Sequence, residues 1–301
     1  MRTLFCRLAD SLGPHYRLLR PLGTGGAAHV FVAKDLRCGR RVAIKVLREE
    51  LAATLSAERF LAEITTTSEL RHPNIVPLLD WGTADGVPYY VMPLVDGESL
   101  REHLNRVGLV SLGETVHIVA QVGAALDFAH QRRVIHRDIK PENVILGSGR
   151  ALVLDFGIAL ALDPIDRPRW TLPGWMPGTP EYMSPEQANG DAAIDGRSDV
   201  YSLGCVAYEM LAGRPPFTGP FGCVLYHHVS TEATPLVSRC PGTPVGVSTS
   251  VARALAKAPD DRFATCGGLV RALRAAIFGV ATVDPGGVPA MATDRLLFSR
   301  P

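Results

Sequence analysis

The sequence has almost no net charge. Its 301 residues carry 31 lysines and arginines against 30 aspartates and glutamates, which leaves a formal charge of +1. A chain without a basic excess has no electrostatic field that would attract nucleic acid, and one without an acidic run has no polyanionic tail. We therefore expect no nucleic-acid partner.

Cysteine is scarce and scattered. The six cysteines include no C-x-x-C pair and form no cluster with histidine at the spacing of metal ligands. A disulfide framework or a zinc site would need such patterns. The distribution favours reduced thiols in a cytoplasmic protein.

Long hydrophobic runs are also missing. Arg2, Arg7 and Asp10 interrupt the first residues, which do not resemble a signal peptide. The late apolar run at 275–283 is far shorter than the roughly 20 residues that a membrane-spanning helix needs. We expect no membrane partner and a cytoplasmic location.

The residues that are present indicate a globular chain of two parts. Apolar residues make up 47% of the sequence, enough for a large core. Residues 16–47 contain three strand-like runs, a helix is predicted from about Ser56, and short strands are predicted at 75–79 and 87–95. After Gly97 the apolar residues follow a helical period, interrupted by two short strands at 143–146 and 151–156.

This order predicts an α+β fold with two lobes. A small β-rich lobe with one helix is expected at 16–95 and a larger, mainly helical lobe at 96–277. Residues 1–15 are predicted to be an N-terminal extension. Residues 278–301, which contain glycine and proline but little periodicity, are predicted to be a loosely ordered tail.

Two segments of the first lobe could hold a triphosphate. Gly23, Gly25 and Gly26 lie between two predicted strands, where backbone N–H groups could approach phosphates, although a plain β-turn explains them equally well. The strand-like run VAIK ends in Lys45, and Glu63 on the following helix could pair with it. A single lysine on a strand is more often a solvated charge, so neither segment is decisive alone.

The loop HRDIKPEN at 136–143 indicates one kind of chemistry more specifically than the two segments of the first lobe do. It places a carboxylate, an ammonium group and an amide close together in Asp138, Lys140 and Asn143. Phosphoryl transfer needs a carboxylate that accepts the hydroxyl proton, a cation for the phosphoryl group and oxygen ligands for magnesium. A second candidate metal-binding carboxylate, Asp155, follows the next strand in the tripeptide DFG.

With these motifs in this order, the sequence resembles the Hanks-type (eukaryotic-like) protein serine/threonine kinases, and most closely their bacterial branch. The resemblance covers roughly residues 16–277 and extends to GTPEYMSPE at 178–186 and to Asp199 and Arg262. It implies the bilobal protein kinase fold and the use of ATP and Mg²⁺. Two positions depart from the pattern: Ala28 replaces the third glycine and Ser184 replaces an alanine.

The resemblance implies a role for each matched residue. Lys45 would contact the α- and β-phosphates, steadied by Glu63. Asp138 would orient or deprotonate the acceptor hydroxyl, and Lys140 would stabilise the γ-phosphoryl group. Asn143 and Asp155 would hold magnesium. The nucleotide would further contact Gly23, Gly25, Gly26, Val30, Ala43, the gatekeeper Met92 and the hinge residues Pro93 and Val95.

Three further roles come from the same resemblance. Glu186 would pair with Arg262 inside the helical lobe, and Asp199 would brace the catalytic loop. Lys140 and Thr179 favour serine or threonine over tyrosine in protein substrates. Thr171, the single Ser or Thr between residues 158 and 178, is predicted to be an autophosphorylation site, for which a homodimer is one arrangement.

Two other functions stay open from the sequence. One is a nucleotide-binding pseudokinase scaffold, against which the intact Asp138, Asn143 and Asp155 argue. The other is a kinase of small molecules such as antibiotics, against which the long segment at 158–178 and Lys140 argue.

Overall fold

A computed structural model of the protein describes residues 2–25, 28–52, 64–156, 179–191 and 193–278. The strands are β1 Tyr16–Thr24, β2 Ala28–Asp35, β3 Arg41–Leu47, β4 Asp80–Ala84, β5 Val87–Pro93, β6 Glu98–Ser99, β7 Val144–Gly147 and β8 Arg150–Val153. The helices are α1 Arg2–Leu12, α2 Glu49–Ala52, α3 Leu100–Val107, α4 Leu112–His130, α5 Pro185–Asn189, α6 Gly196–Ala212, α7 Phe221–Ser230, α8 Leu236–Arg239, α9 Val245–Ala254 and α10 Cys266–Phe278.

The first lobe is built on one antiparallel sheet of five strands in the order β1-β2-β3-β5-β4. Its apolar side chains form a cluster that includes Phe31 and Ile44, which are 1% and 0% exposed. Full burial of a side chain of this size contributes about 1.5–3 kcal/mol to stability. The predicted β-rich lobe is confirmed.

Helix α1 is a part of this lobe that the sequence did not predict. Its residues Leu8 and Leu12 are buried, and Phe5 meets Phe31 edge-on with 5.9 Å between the ring centres. Arg7 on the same helix pairs with Glu49 at 2.9 Å and also with Asp85. The segment predicted as an extension is therefore packed against the sheet.

The strand predicted at 75–79 is wrong. Only Ile75 forms a β-bridge, with Val153, and the regular strand begins at Asp80. The amide of Val76 donates to the carbonyl of Val153 in β8 at 2.9 Å, and the amide of Leu79 donates to the carbonyl of Val91 in β5 at 2.8 Å, so this segment bridges β8 and the first sheet. Pro77 has no N–H group with which to continue a ladder.

The second lobe is mainly helical, as predicted, and is centred on α4 and α6. Helix α6 is buried along most of its length and ends at Gly213, whose φ of 73° suits a glycine. Its Gly204 allows a close approach of α9, because an added Cβ would lie 2.9 Å from the Cβ of Ala254. The short sheet β6-β7-β8 contains the predicted hairpin and lies beside the loop at 136–143.

All six cysteines are free, as expected. Within the described residues, no helix combines the length and the apolar character that crossing a membrane requires.

Candidate active site

Asp199, in the first turn of α6, holds the backbone of the loop at 136–143. Its fully buried carboxylate accepts hydrogen bonds from the amides of His136 at 2.9 Å and Arg137 at 2.8 Å. Arg137 has a φ of 66°, a left-handed conformation that costs a non-glycine residue about 1–3 kcal/mol. The two hydrogen bonds fix this conformation, which confirms the bracing contact expected of Asp199.

The three polar side chains of the loop come together as predicted. The Nζ of Lys140 lies 3.0 and 2.8 Å from the two carboxylate oxygens of Asp138. The amide nitrogen of Asn143 donates to the backbone carbonyl of Asp138 at 2.8 Å and to its carboxylate at 3.1 Å. The Asp138 side chain remains 45% exposed, so a substrate hydroxyl could reach its carboxylate.

Asp138 keeps the ammonium group of Lys140 in its charged form. Burial would lower the pKa of its ammonium group, but the charge of Asp138 and the hydrogen bond to it outweigh burial and raise this pKa above its usual value. The group therefore stays charged at neutral pH, as stabilisation of a phosphoryl group requires.

Asp155 lies just beyond β8, in a left-handed conformation with φ 62°. Its two carboxylate oxygens accept from different donors of the first lobe: Lys45 Nζ at 2.6 Å and the hydroxyl of Tyr90 at 2.7 Å. Burial opposes ionisation of this carboxyl group. The charge and hydrogen bond of Lys45, together with the Tyr90 hydroxyl, outweigh burial and hold the pKa of Asp155 below its usual range.

The expected contact of Lys45 with Glu63 cannot be placed, because Glu63 lies outside the described residues. Gly26 and the DFG glycine, Gly157, also lie outside them. In the described structure, Lys45 forms its ion pair with Asp155.

Residues predicted to contact the nucleotide adjoin one another in the sheet. Ala43 in β3 lies opposite Met92 in β5, and Val30 in β2 lies opposite Lys45. Gly23 faces Val30 across the first hairpin, and the amide of Gly25 donates to the carbonyl of Ala28 at 2.9 Å. Pro93 ends β5, and Val95 follows it in the connection to the second lobe, both partly buried. This arrangement is compatible with one nucleotide pocket.

The segment at 157–178, which contains Thr171, lies outside the described residues. Thr179 resumes the described chain, and Ser184 caps α5 by accepting from the amide of Gln187. The predicted pair of Glu186 and Arg262 is present, with both hydrogen bonds at 2.8 Å. This pair fixes α5, which follows the segment in sequence, within the second lobe.

Arg101 in α3 is a connecting residue that the sequence did not reveal. Its guanidinium donates to Glu142 in the loop at 136–143 at 2.9 Å and to Glu209 in α6 at 2.7 Å, and it also contacts the hydroxyl of Tyr182. A solvated arginine on a helix has the same sequence signature, so no local pattern marks this network.

His130 at the end of α4 is a second residue that the sequence did not reveal: its Nε2 lies 2.7 Å from the carboxylate of Asp199, the residue that holds the loop at 136–143. Burial would lower the pKa of His130, but the hydrogen bond and charge of Asp199 outweigh burial and raise it above the usual value. A raised pKa in the folded state stabilises the protein most below about pH 6.5, the value for an unfolded histidine.

We predict that His130→Gln removes this pH-dependent stability. The difference in unfolding free energy between wild type and variant should be largest below about pH 6.5 and shrink as the pH rises through the raised pKa of His130, because folded His130 then loses its proton. Denaturant unfolding of both proteins across this range measures the difference. A difference that is constant with pH would contradict the prediction.

The comparisons with known proteins agree with this geometry. The protein kinase domain family matches residues 16–250. The chain belongs to the protein kinase family. This membership confirms the α+β bilobal fold class and the resemblance drawn from the motifs.

The curated relatives are bacterial serine/threonine-protein kinases. The chain is 41% identical over 290 residues to serine/threonine-protein kinase PknB of Mycobacterium leprae, an alignment that covers 94% of this chain and 46% of the relative. It is 40% identical over 290 residues to PknB of Mycobacterium tuberculosis, again covering 94% of this chain and 45% of the relative. A probable PknB of Bifidobacterium longum is 42% identical over 265 residues, which cover 84% of this chain and 38% of the relative.

The chain thus spans less than half the length of these relatives. Proteins of this family generally use ATP and Mg²⁺. None of the three relatives is named as a pseudokinase.

Proposed function

We propose that the chain is a protein serine/threonine kinase, which transfers the γ-phosphoryl group of Mg·ATP to serine or threonine hydroxyls of protein substrates. The observation that carries the proposal is the convergence of Asp138, Lys140 and Asn143 in one loop braced by Asp199. We take residues 16–95 and 96–277 as the two lobes and 278–301 as a tail.

Each side chain of the loop has a task that its surroundings support. Asp138, 45% exposed, would orient the acceptor hydroxyl and take its proton. Lys140, kept charged by Asp138, would stabilise the negative charge of the phosphoryl group. Lys45 would turn to the α- and β-phosphates, steadied by Glu63.

The donor set fits magnesium. Mg²⁺ prefers oxygen ligands and usually takes one or two carboxylates together with substrate phosphates. Asp155 supplies an ionised carboxylate, and because the amide nitrogen of Asn143 is used by Asp138, its amide oxygen is left for a cation. The bound ion would neutralise charge on the phosphates.

The nucleotide would lie along the sheet. We assign the backbone of Gly23, Gly25 and Gly26 to the phosphates. The apolar side chains of Val30, Ala43 and Met92 would cover the adenine. In the hinge, Pro93 keeps a carbonyl that can accept, and Val95 can donate as well as accept.

Regulation belongs to the same proposal. We propose autophosphorylation at Thr171, carried out between two copies of the chain in a homodimer, with the phosphate bound by Arg137. We place the activity in the cytoplasm, where ATP is available and free cysteines stay reduced.

A comparison of phosphate acceptors distinguishes a protein kinase from a pseudokinase and from an antibiotic kinase. Purified protein with Mg·ATP is offered a generic basic protein or an aminoglycoside, with Asp138→Asn as the control. We expect phosphate on the protein acceptor with wild type alone. ATP binding without transfer would favour a pseudokinase, and transfer to the aminoglycoside alone would favour an antibiotic kinase.

A further inference from the structure

Tyr90 is a buried polar residue that none of the motifs includes. It lies directly opposite Lys45 in the pairing of β5 with β3, and the Nζ of Lys45 is 5.7 Å from the centre of its ring. Both side chains reach Asp155: Lys45 donates to Oδ2 at 2.6 Å and the Tyr90 hydroxyl donates to Oδ1 at 2.7 Å. The first lobe therefore contacts this carboxylate through two donors.

The two donors differ in rigidity. Tyr90 is 0% exposed, while the Lys45 side chain is 22% exposed. A buried tyrosine has two side-chain torsions fixed by packing, whereas lysine has a long flexible stem. The Tyr90 hydroxyl is thus a fixed point, and Lys45 is the donor that can move.

The hydroxyl group of Tyr90 is buried at a place where a phenylalanine would also fit, so its hydrogen bond is the feature that distinguishes the two residues. Burying a hydroxyl group without a hydrogen bond costs free energy, and a phenylalanine would fill the same space without that cost. The hydroxyl of Tyr90 is aimed at one oxygen of Asp155, a residue that the proposed function assigns to magnesium. The hydroxyl of Tyr90 therefore contacts a candidate metal ligand, Asp155.

We propose that Tyr90 is a positioning residue for the metal site: its hydroxyl fixes the orientation in which the Asp155 carboxylate meets Mg²⁺. This inference rests on the proposed function. A carboxylate oxygen has two lone pairs, so Oδ1 can accept from Tyr90 and still face a cation. When Lys45 turns to the phosphates, Tyr90 stays as the first-lobe group that holds the carboxylate. Outer partners of metal ligands commonly set metal affinity in this way, and their loss costs about 10–100-fold.

The test is the Mg²⁺ dependence of nucleotide binding. Calorimetric titration of a non-hydrolysable ATP analogue at increasing Mg²⁺ gives the Mg²⁺ concentration at half-maximal enhancement of binding. We expect Tyr90→Phe to raise this concentration about 10-fold or more and to leave binding without Mg²⁺ unchanged. Tyr89→Phe is the matched control, because Tyr89 is the neighbouring tyrosine of the same strand and faces the other side of the sheet. It should behave as wild type.

The outcomes separate this inference from the proposed function. Wild type that binds the analogue without any response to Mg²⁺ would overturn both. A Mg²⁺ response in wild type that is equal in folded Tyr90→Phe would overturn the inference alone. Should the variant not fold, a crystal structure of wild type with Mg·ADP decides: the Tyr90 oxygen within hydrogen-bond distance of a metal-binding Asp155 supports the inference, and a Tyr90 turned away overturns it.

Discussion

Asp138→Asn should lower the rate of phosphoryl transfer by about 10²–10⁴-fold, the usual contribution of a positioned general base. Asparagine has nearly the same shape and can still meet Lys140 and Asn143, but its amide cannot take a proton from the acceptor hydroxyl. Nucleotide binding should be unchanged, because the residues assigned to the phosphates and the adenine are untouched. Single-turnover transfer from ATP and calorimetric binding of an ATP analogue measure the two quantities.

Glu142→Gln is the control for this prediction. It makes the same change from carboxylate to amide within the same loop, but at a side chain that is bound to Arg101 and not to Asp138. We expect a rate close to that of wild type. If both variants lost activity equally, the effect would belong to the loop as a whole, and if Asp138→Asn kept the wild-type rate, the role of Asp138 would be wrong.

Arg262→Ala should lower the free energy of unfolding by about 3–5 kcal/mol, the usual cost of breaking a buried ion pair. Arg262 is 2% exposed and makes two hydrogen bonds of 2.8 Å to Glu186. It also donates to the carbonyls of Ala256 and Lys257 at 2.8 and 2.9 Å. The alanine variant leaves all these acceptors without a partner. Denaturant unfolding of wild type and variant measures the change in unfolding free energy. The fraction of the variant that is folded at low temperature should keep its phosphoryl-transfer activity.

Arg197→Ala is the matched control, since Arg197 also forms ion pairs in the same lobe. Its partners Asp195 and Asp260 are 57% and 92% exposed, however, and exposed pairs contribute about 0–1 kcal/mol. We expect Arg197→Ala to lower the free energy of unfolding by no more than about 0–1 kcal/mol. Equal losses for the two arginines would contradict the view that burial makes the Glu186 pair important.

The loop at 136–143 could be predicted because its residues are neighbours in sequence. A carboxylate, an ammonium group and an amide within one short loop must lie close together in any fold, and the structure shows that they do. The pair of Glu186 and Arg262 was expected from the family resemblance alone, because no local pattern joins two residues that are 76 positions apart.

Other contacts depend on how separate elements meet. The contact of Tyr90 with Asp155 needs both the register of β3 with β5 and the position of the β8 end beneath the first sheet. Helix α1 was missed because it carries no acidic residue in its first turn and no basic residue in its last. The strand at 75–79 was misassigned because apolar periodicity cannot tell a strand from a segment that bridges two lobes.

The most direct measurement of the central claim is phosphoamino-acid analysis after incubation of the protein, and of a generic basic protein acceptor, with Mg²⁺ and ATP labelled at the γ-phosphate. The account predicts label on phosphoserine or phosphothreonine with wild type and none with Asp138→Asn. Folded wild-type protein that binds Mg·ATP but labels no serine or threonine would contradict it.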